Sequence, residues 1–223
     1  YDGKPLYDIT LANNYDGLEE VLQNFALQSH KICIVTDDTV GAHYAEKVKT
    51  IAQKAAAYVC VFSFPAGESS KTLDVIEDLY EVLIKAHFDR KDILLALGGG
   101  VVGDMTGYAA ATYLRGIRVI QLPTSLLAMV DSSIGGKTGV DFRGYKNMVG
   151  AFHQPSAVYM NVSTLKTLTK EQYFSGFGEI IKHGLIKDMN YFDTIQKNIM
   201  ALNDRDLSAL AEIIYGSCDI KRQ

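Results

Sequence analysis

Residues 93–103 read Ile93-Leu94-Leu95-Ala96-Leu97-Gly98-Gly99-Gly100-Val101-Val102-Gly103, and the fold turns on them. Ile93–Leu97 is a short apolar run, of strand length rather than helix length. Three glycines stop it, and with Gly103 they satisfy G-x-G-x-x-G. The pattern here follows a strand and opens a helix, the context in which it carries meaning. Glycines in such a turn let the backbone approach a pyrophosphate, and free helix N–H groups face the anion. A dinucleotide site of the ordinary kind also wants an acid roughly 20 residues further on for the ribose. Arg118–Thr124 offers none, so Asp37, at the end of an earlier strand, is the candidate for the ribose or adenine.

Outward from this turn, strand and helix patterns alternate. Ile32–Val35 is an apolar run ending at Thr36-Asp37-Asp38, and 40–55 has a helical pattern. Tyr58–Phe64 is rich in β-formers and stops at Pro65. Leu73, Ile76, Leu79, Tyr80 and Leu83 then fall at helical spacing. Val119–Leu122 and Ala157–Val162 are later strands. Such alternation predicts parallel β-α-β units, with strands covered on both faces. Beyond Thr167 the pattern turns helical and stays so. The expected architecture is α/β: a Rossmann-like parallel-sheet domain over residues 1–168, then the beginning of an all-α domain over 169–223 that is cut short.

Composition narrows the partners. The chain has 223 residues, 22 Lys and Arg against 26 Asp and Glu, and a formal charge of −4. It lacks the basic excess of a dedicated nucleic-acid binder. No apolar stretch approaches the ~20 residues of a membrane span. The segment YDGKPLYD has no leader pattern, and the absence of an initiator Met predicts a trimmed start. Cys33, Cys60 and Cys218 form no disulfide framework or metal pair, which predicts a reducing, cytoplasmic setting.

Three further stretches carry chemistry. Pro65-Ala66-Gly67-Glu68-Ser69-Ser70-Lys71 is a turn and a helix start. In Val130–Val140, VDSSIGGKTGV, Asp131 interrupts an apolar segment and Gly135-Gly136 present Lys137 on a flexible backbone. Gly144-Tyr145-Lys146-Asn147 repeats the theme. Two lysine loops so close suggest an anionic small molecule. In Phe177–His183, the residues Glu179, Lys182 and His183 share one helix face and could hold a metal or simply pair with one another. His30, His43, His87 and His153 have no spacing that singles them out.

From about Phe64 to Asp188 the chain resembles the 3-dehydroquinate synthases, of the sugar-phosphate cyclases. The strings that carry the resemblance are PAGESSK, ALGGGVVGDMTGYAAATYLRG, LPTSLLAMVDSSIGGKTGVDF, YKNMVGAFHQP, STLKTL and FSGFGEIIKHGLIKD. Ser125 stands where a second Thr is common, and Gly178 where Ala is usual.

The resemblance implies an NAD- and metal-dependent lyase of the shikimate pathway, which makes aromatic amino acids. It would convert 3-deoxy-D-arabino-heptulosonate 7-phosphate to 3-dehydroquinate and phosphate as a homodimer. Asp37 would meet the adenosine end of NAD, and Glu68 and Lys71 would hold the nucleotide. Gly100, Val101, Val102, Gly103 and Asp104 would cradle the pyrophosphate. Thr124, Ser125, Lys137, Lys146, Thr164, Leu165, Lys166 and Thr167 would line and close the cofactor site. Asp131, Lys137, Asn147 and Lys182 would face the substrate, and Arg115 would reach the substrate phosphate of a neighbouring subunit. Glu179 would be the carboxylate ligand of zinc or cobalt. The family's two histidine ligands are not in this chain, so NAD binding without measurable turnover is expected. Two alternatives remain open here. One is a sister cyclase of the 2-deoxy-scyllo-inosose or valiolone type, and the other is an NAD-dependent glycerol or iron-type alcohol dehydrogenase.

Overall fold

The computed structural model describes residues 6–222. The sequence readings made on Tyr1–Pro5 and on Gln223 lie outside them. The elements are β1 (Asp8–Ala12), α1 (Leu18–Gln23), β2 (Lys31–Asp37), α2 (Asp38–Ala55), β3 (Tyr58–Phe64), α3 (Leu73–Lys85), β4 (Ile93–Gly98) and α4 (Gly100–Thr112). There follow β5 (Arg118–Pro123), β6 (Lys137–Phe142), β7 (Tyr145–Phe152), β8 (Ala157–Asn161), α5 (Lys170–Lys187), α6 (Met189–Lys197), α7 (Ile199–Asn203) and α8 (Leu207–Arg222).

Six strands form one parallel sheet in the order β1-β8-β5-β4-β2-β3. The α/β expectation therefore stands. The chain steps from β2 outward to β3, then back across β2 to β4 and onward to β5. The order reverses between β2 and β4, and in open α/β sheets ligands bind outside the carboxyl ends of the strands at such a point. Asp37 ends β2 there and Gly98 ends β4.

Strand side chains alternate between two cores. Ile32, Ile34, Ile93, Leu95, Leu97, Ile120 and Leu122 pack under α1 and α2. Cys33, Val35, Leu94, Ala96 and Val119 pack under α3 and α4. Burial on both faces is why these strands read as continuous apolar runs. The second face continues across the sheet: Val158 and Met160 of β8 share a core with Tyr173, Ile180, Leu210 and Ile213 of the helical segment. That segment thus packs directly on the sheet. No helix among the described residues is long and apolar enough to cross a membrane. Cys33, Cys60 and Cys218 are free thiols.

The two lysine loops require correction. Lys137 opens β6 and Lys146 lies in β7, and the two strands form an antiparallel ribbon paired from Lys137 opposite Phe152 to Phe142 opposite Tyr145. Arg143 and Gly144, with φ of 49° and 84°, make its tight turn, the left-handed geometry that suits a two-residue hairpin. Two features hid the strands. Glycines interrupt the alternation at Gly139 and Gly150, and the register is irregular between Val140 and Phe142. Strand β1 and helix α1 were also not legible, being short and weakly patterned.

Candidate active site

Helix α4 begins directly at the glycine turn, and the chain around it leaves no room for side chains. A Cβ on Gly98 would lie 2.4 Å from Val102 Cγ2, and one on Gly100 would lie 3.0 Å from Ser132 Oγ. Further along, a Cβ on Gly103 would meet Gln121 Oε1 at 2.9 Å. The glycines therefore let α4 sit close against β5 and against the single π-helical turn Ala128–Ser132. The Thr124 N–H donates to Gly98 O at 2.9 Å and ties the end of β5 to the glycine turn. The hydroxyls of Ser132 and Ser133 are buried, with no hydrogen-bond partner among the described residues. A buried donor with nothing to bind costs stability unless a ligand satisfies it.

Lys71 is the hub of the next layer. It is only 4% exposed, yet its side chain ends in an ammonium. Its Nζ donates to Asp104 Oδ2 at 2.7 Å and to Asn147 Oδ1 at 2.6 Å. Its backbone oxygen accepts from Asp141 N at 2.8 Å. One ammonium thus joins the turn after β3, the amino-terminal part of α4 and the ribbon. Burial pushes the Asp104 carboxyl above its usual range, and Lys71 pulls it part of the way back. Asn147 takes φ of 57°, and its N–H donates to Asp141 Oδ1 at 2.8 Å. The left-handed backbone aims its amide at Lys71.

A cavity of about 580 Å³ opens beneath these groups, lined among others by Asp104, Asp131, Ser132, Lys137, Asn147 and Lys221. Lys221, near the end of α8, contacts both the carboxylate and the backbone oxygen of Asp131. Sequence reading missed Lys221, because 90 residues separate the pair.

Glu179, Lys182 and His183 do share one face of α5. Lys182 Nζ lies 3.0 Å from Glu179 Oε1, and His183 Nε2 lies 3.2 Å from the same oxygen. His183 Nδ1 is 3.2 Å from Ser217 Oγ, which pairs with the Tyr191 hydroxyl at 2.7 Å. The imidazole therefore anchors Glu179 to α8. Burial pulls its pKa below the ordinary histidine value, against the pull of Glu179. Replacing His183 with leucine removes one of the two partners of Ser217 Oγ and of Glu179 Oε1, leaving Tyr191 and Lys182 respectively. The expected loss is about 1–2 kcal/mol, read as a lower urea midpoint at unchanged slope.

Other sequence candidates fall into place unevenly. Asp37 caps α2, its Oδ1 accepting from Val40 N at 2.7 Å, and burial raises its carboxyl pKa. Glu68 pairs with Lys146 at 3.3 Å. That contact turns Lys146 away from the cavity that Lys137 lines. Val102 is buried in the core, so only its backbone can face an anion. Thr164 Oγ1 donates to Asn161 O at 2.8 Å and to Thr124 O at 3.3 Å. Thr167 Oγ1 is 2.8 Å from the Tyr44 hydroxyl. Leu165 is core and Lys166 is exposed.

Arg115 lies past the far end of α4, about 20 Å from the glycine turn by helix rise, and does not line this cavity. Leu114, Arg115 and Gly116 take φ of 51°, 67° and 122° in succession, a costly backbone path for two non-glycine residues. The sheet's amino edge holds a second acidic group, His30, Asp89 and Asp92. Both Asp92 oxygens there accept backbone N–H bonds, from Lys31 at 2.8 Å and Asp89 at 2.6 Å. It serves as a clasp.

Comparison with known proteins points the same way. Residues 61–175 match the family model for the 3-dehydroquinate synthase N-terminal region, and 176–223 match that for the C-terminal region. A 3-dehydroquinate synthase from Ruminiclostridium cellulolyticum is 44% identical over 215 residues. The match covers 96% of this chain and 60% of that protein. The 2-epi-5-epi-valiolone synthase of Streptomyces hygroscopicus subsp. jinggangensis, solved with NAD+ and Zn2+ bound, superposes with a TM-score of 0.85 at 27% identity, covering 98% of this chain and 61% of that one. A 2-deoxy-scyllo-inosose synthase, solved with carbaglucose-6-phosphate, NAD+ and Co2+, gives 0.75 at 25% identity, covering 96% and 60%.

Proposed function

The chain belongs to the 3-dehydroquinate synthase family, and on that premise we propose that its cavity binds NAD together with 3-deoxy-D-arabino-heptulosonate 7-phosphate, as the site of conversion to 3-dehydroquinate and phosphate. The observation that carries the reading is the meeting of Lys137, Asn147 and Asp131 in one cavity beside the glycine-lined start of α4. The chain spans 60% of the length of the R. cellulolyticum relative.

The residues present fit NAD. A pyrophosphate suits the free N–H groups at the start of α4, where Gly99 and Gly100 keep the approach clear and the Ser132 hydroxyl awaits a partner. Asp37 and the Thr164–Thr167 turn flank the same carboxyl edge of the sheet. When bound, NAD would supply a hydride acceptor for a substrate alcohol and give the hydride back later in the cycle, because the overall conversion is redox-neutral. Glu179 suits a divalent ion as one carboxylate ligand. Among the described residues His183 is already committed to Ser217. Catalytic zinc sites take three protein ligands, so the donor set found here falls short of holding such an ion by itself.

The chain's own work is holding and orienting. A phosphate and a carboxylate on one small molecule demand several cationic and amide donors; Lys137 and Asn147 line the cavity to meet them, and Lys182, paired with Glu179 on α5, would have to turn from that partner to join them. Phosphate leaves from the carbon beyond the C–H that an adjacent ketone acidifies, and the departing group's own oxygens can take that proton. Ring closure then depends on a confined chain geometry more than on a strong base.

We extend the proposal to a homodimer in which Arg115 serves a neighbouring site. Support comes from its position at the far end of α4 and from Tyr145, Met148 and Phe152 on β7, which are 68%, 71% and 82% exposed. Free thiols fit a reducing compartment such as the cytoplasm.

Titration decides the reading. NAD is expected to bind saturably, and the heptulosonate phosphate is expected to tighten it, while the same sugar acid without phosphate does not. Gly100→Val should abolish both effects. NAD affinity indifferent to the phosphorylated sugar acid would remove the basis for the assignment.

A further inference from the structure

Arg205 stands just after α7 with φ of 56°, and neither motif nor spacing marks it. Its Nη1 donates to Leu165 O at 2.8 Å, Lys166 O at 3.1 Å and Leu168 O at 2.8 Å. The Leu165 and Lys166 carbonyls lie at the end of the 3₁₀ turn Val162–Thr167, and Leu168 is its C-cap. No helix continues from that turn to satisfy them, so a side chain must. The guanidinium also lies 4.5 Å over the Tyr173 ring, and the Tyr173 hydroxyl donates back to Leu202 O at 2.6 Å, one turn before Arg205. Stacking on Tyr173 fixes the plane of the guanidinium and so the direction of Nη1, a constraint that an ammonium, with no flat face, does not have.

The same turn is held from two other sides, by the Thr124 carbonyl and by the Tyr44 hydroxyl. Among the hydrogen bonds described, those of Arg205 are the ones that reach the turn from the helical segment, while Val162 and Leu165 share a buried core with Leu202 and Leu210. Tyr173 lies on α5, the helix that carries Glu179 and Lys182.

We propose that Arg205 is a positioning residue for the cofactor site, holding the Thr164–Thr167 turn in the shape that receives NAD and coupling that turn to α5. The proposal rests on the reading of this turn as part of the NAD site. A turn already fixed loses little conformational freedom when the ligand arrives, which is what preorganisation contributes to affinity. Arg205 touches neither NAD nor substrate and acts through the backbone it holds.

The test compares three variants with the unaltered protein, using NAD as the probe. Arg205→Ala is expected to weaken NAD binding about tenfold, the factor attached to one lost charge-assisted hydrogen bond, and to speed hydrogen exchange at residues 165–169. Arg205→Lys, which keeps charge and length but not the stacked fork, should fall between the two and serves if the alanine variant folds poorly. Ile93→Val, fully buried at the amino end of β4 in a core that includes no residue of the turn, lowers thermal stability and should leave NAD affinity within about twofold. Equal NAD affinity in the unaltered protein and in both Arg205 variants overturns the proposal alone. So does a loss in Ile93→Val as large as that in Arg205→Ala. No NAD binding by the unaltered protein sinks the cofactor reading, and this inference with it.

Discussion

Replacing Lys71 with methionine is expected to destabilise the protein by about 3 kcal/mol, within the range for breaking one side of a buried ion pair. At this chain length that corresponds to a fall in Tm of roughly 6–12 °C. The cause is what remains behind: Asp104, whose side chain is 20% exposed, keeps its charge without a counter-charge, and Asn147 Oδ1 loses its donor. Methionine matches the length of the lysine stem, so little packing is lost with it. Adding Asp104→Asn to Lys71→Met removes the orphaned charge and should recover much of the deficit. A double-mutant cycle with additive losses would show that the pair is not coupled.

The pH dependence of that variant has a definite sign. Burial raises the Asp104 carboxyl above 3.8, its ordinary value, and Lys71 opposes the rise. An acid raised in the folded state holds its proton more tightly than in the unfolded chain, so its ionisation costs stability as pH climbs through the folded value. Without Lys71 the rise is larger. The deficit of Lys71→Met should therefore be greatest near neutrality and shrink as pH falls toward about 4. A deficit that grows in acid would mean another group is responsible.

The second large effect is expected from Gly107→Ala. Alanine usually helps a helix interior by up to about 1 kcal/mol over glycine. Here the added Cβ would sit 2.3 Å from Thr138 Cγ2 and 3.1 Å from Thr138 Cβ. Thr138 cannot swing aside freely, because its hydroxyl donates to Ala151 O at 2.7 Å across the ribbon. Either the β6–β7 ribbon lifts from α4 or the helix shifts, and overpacking of this kind costs about 1–3 kcal/mol net. The ribbon carries Lys137 and Asn147, so binding of the phosphorylated sugar acid should weaken along with stability. Thr138→Ser deletes Cγ2 and keeps the hydroxyl, so it should restore both in the Gly107→Ala background. Failure of that rescue would place the damage elsewhere.

These two sites also show what could be read before the structure. Gly98–Gly103 after an apolar run was legible as a strand-to-helix turn because the pattern is local: a strand end, a tight turn and a helix start occupy consecutive residues. Glu179, Lys182 and His183 were legible as neighbours for the same reason, since helix geometry alone brings i, i+3 and i+4 together. The ribbon was not, because its glycines and irregular register break the two-residue alternation. Lys146 was placed beside Lys137 by closeness in sequence. Strand geometry and Glu68 turn it away.

Local patterning, then, determined the βα alternation, the parallel sheet buried on both faces, and the glycine turn at the start of α4, since each depends on residues a few positions apart. Tertiary structure alone decided that Lys71 meets Asp104 and Asn147 across 33 and 76 residues, that Lys221 reaches Asp131 across 90, and that Arg205 holds the Leu165 carbonyl across 40. A hydrogen bond or ion pair acts over a few ångströms of space, and separation along the chain leaves no periodic trace by which such a meeting could be foreseen.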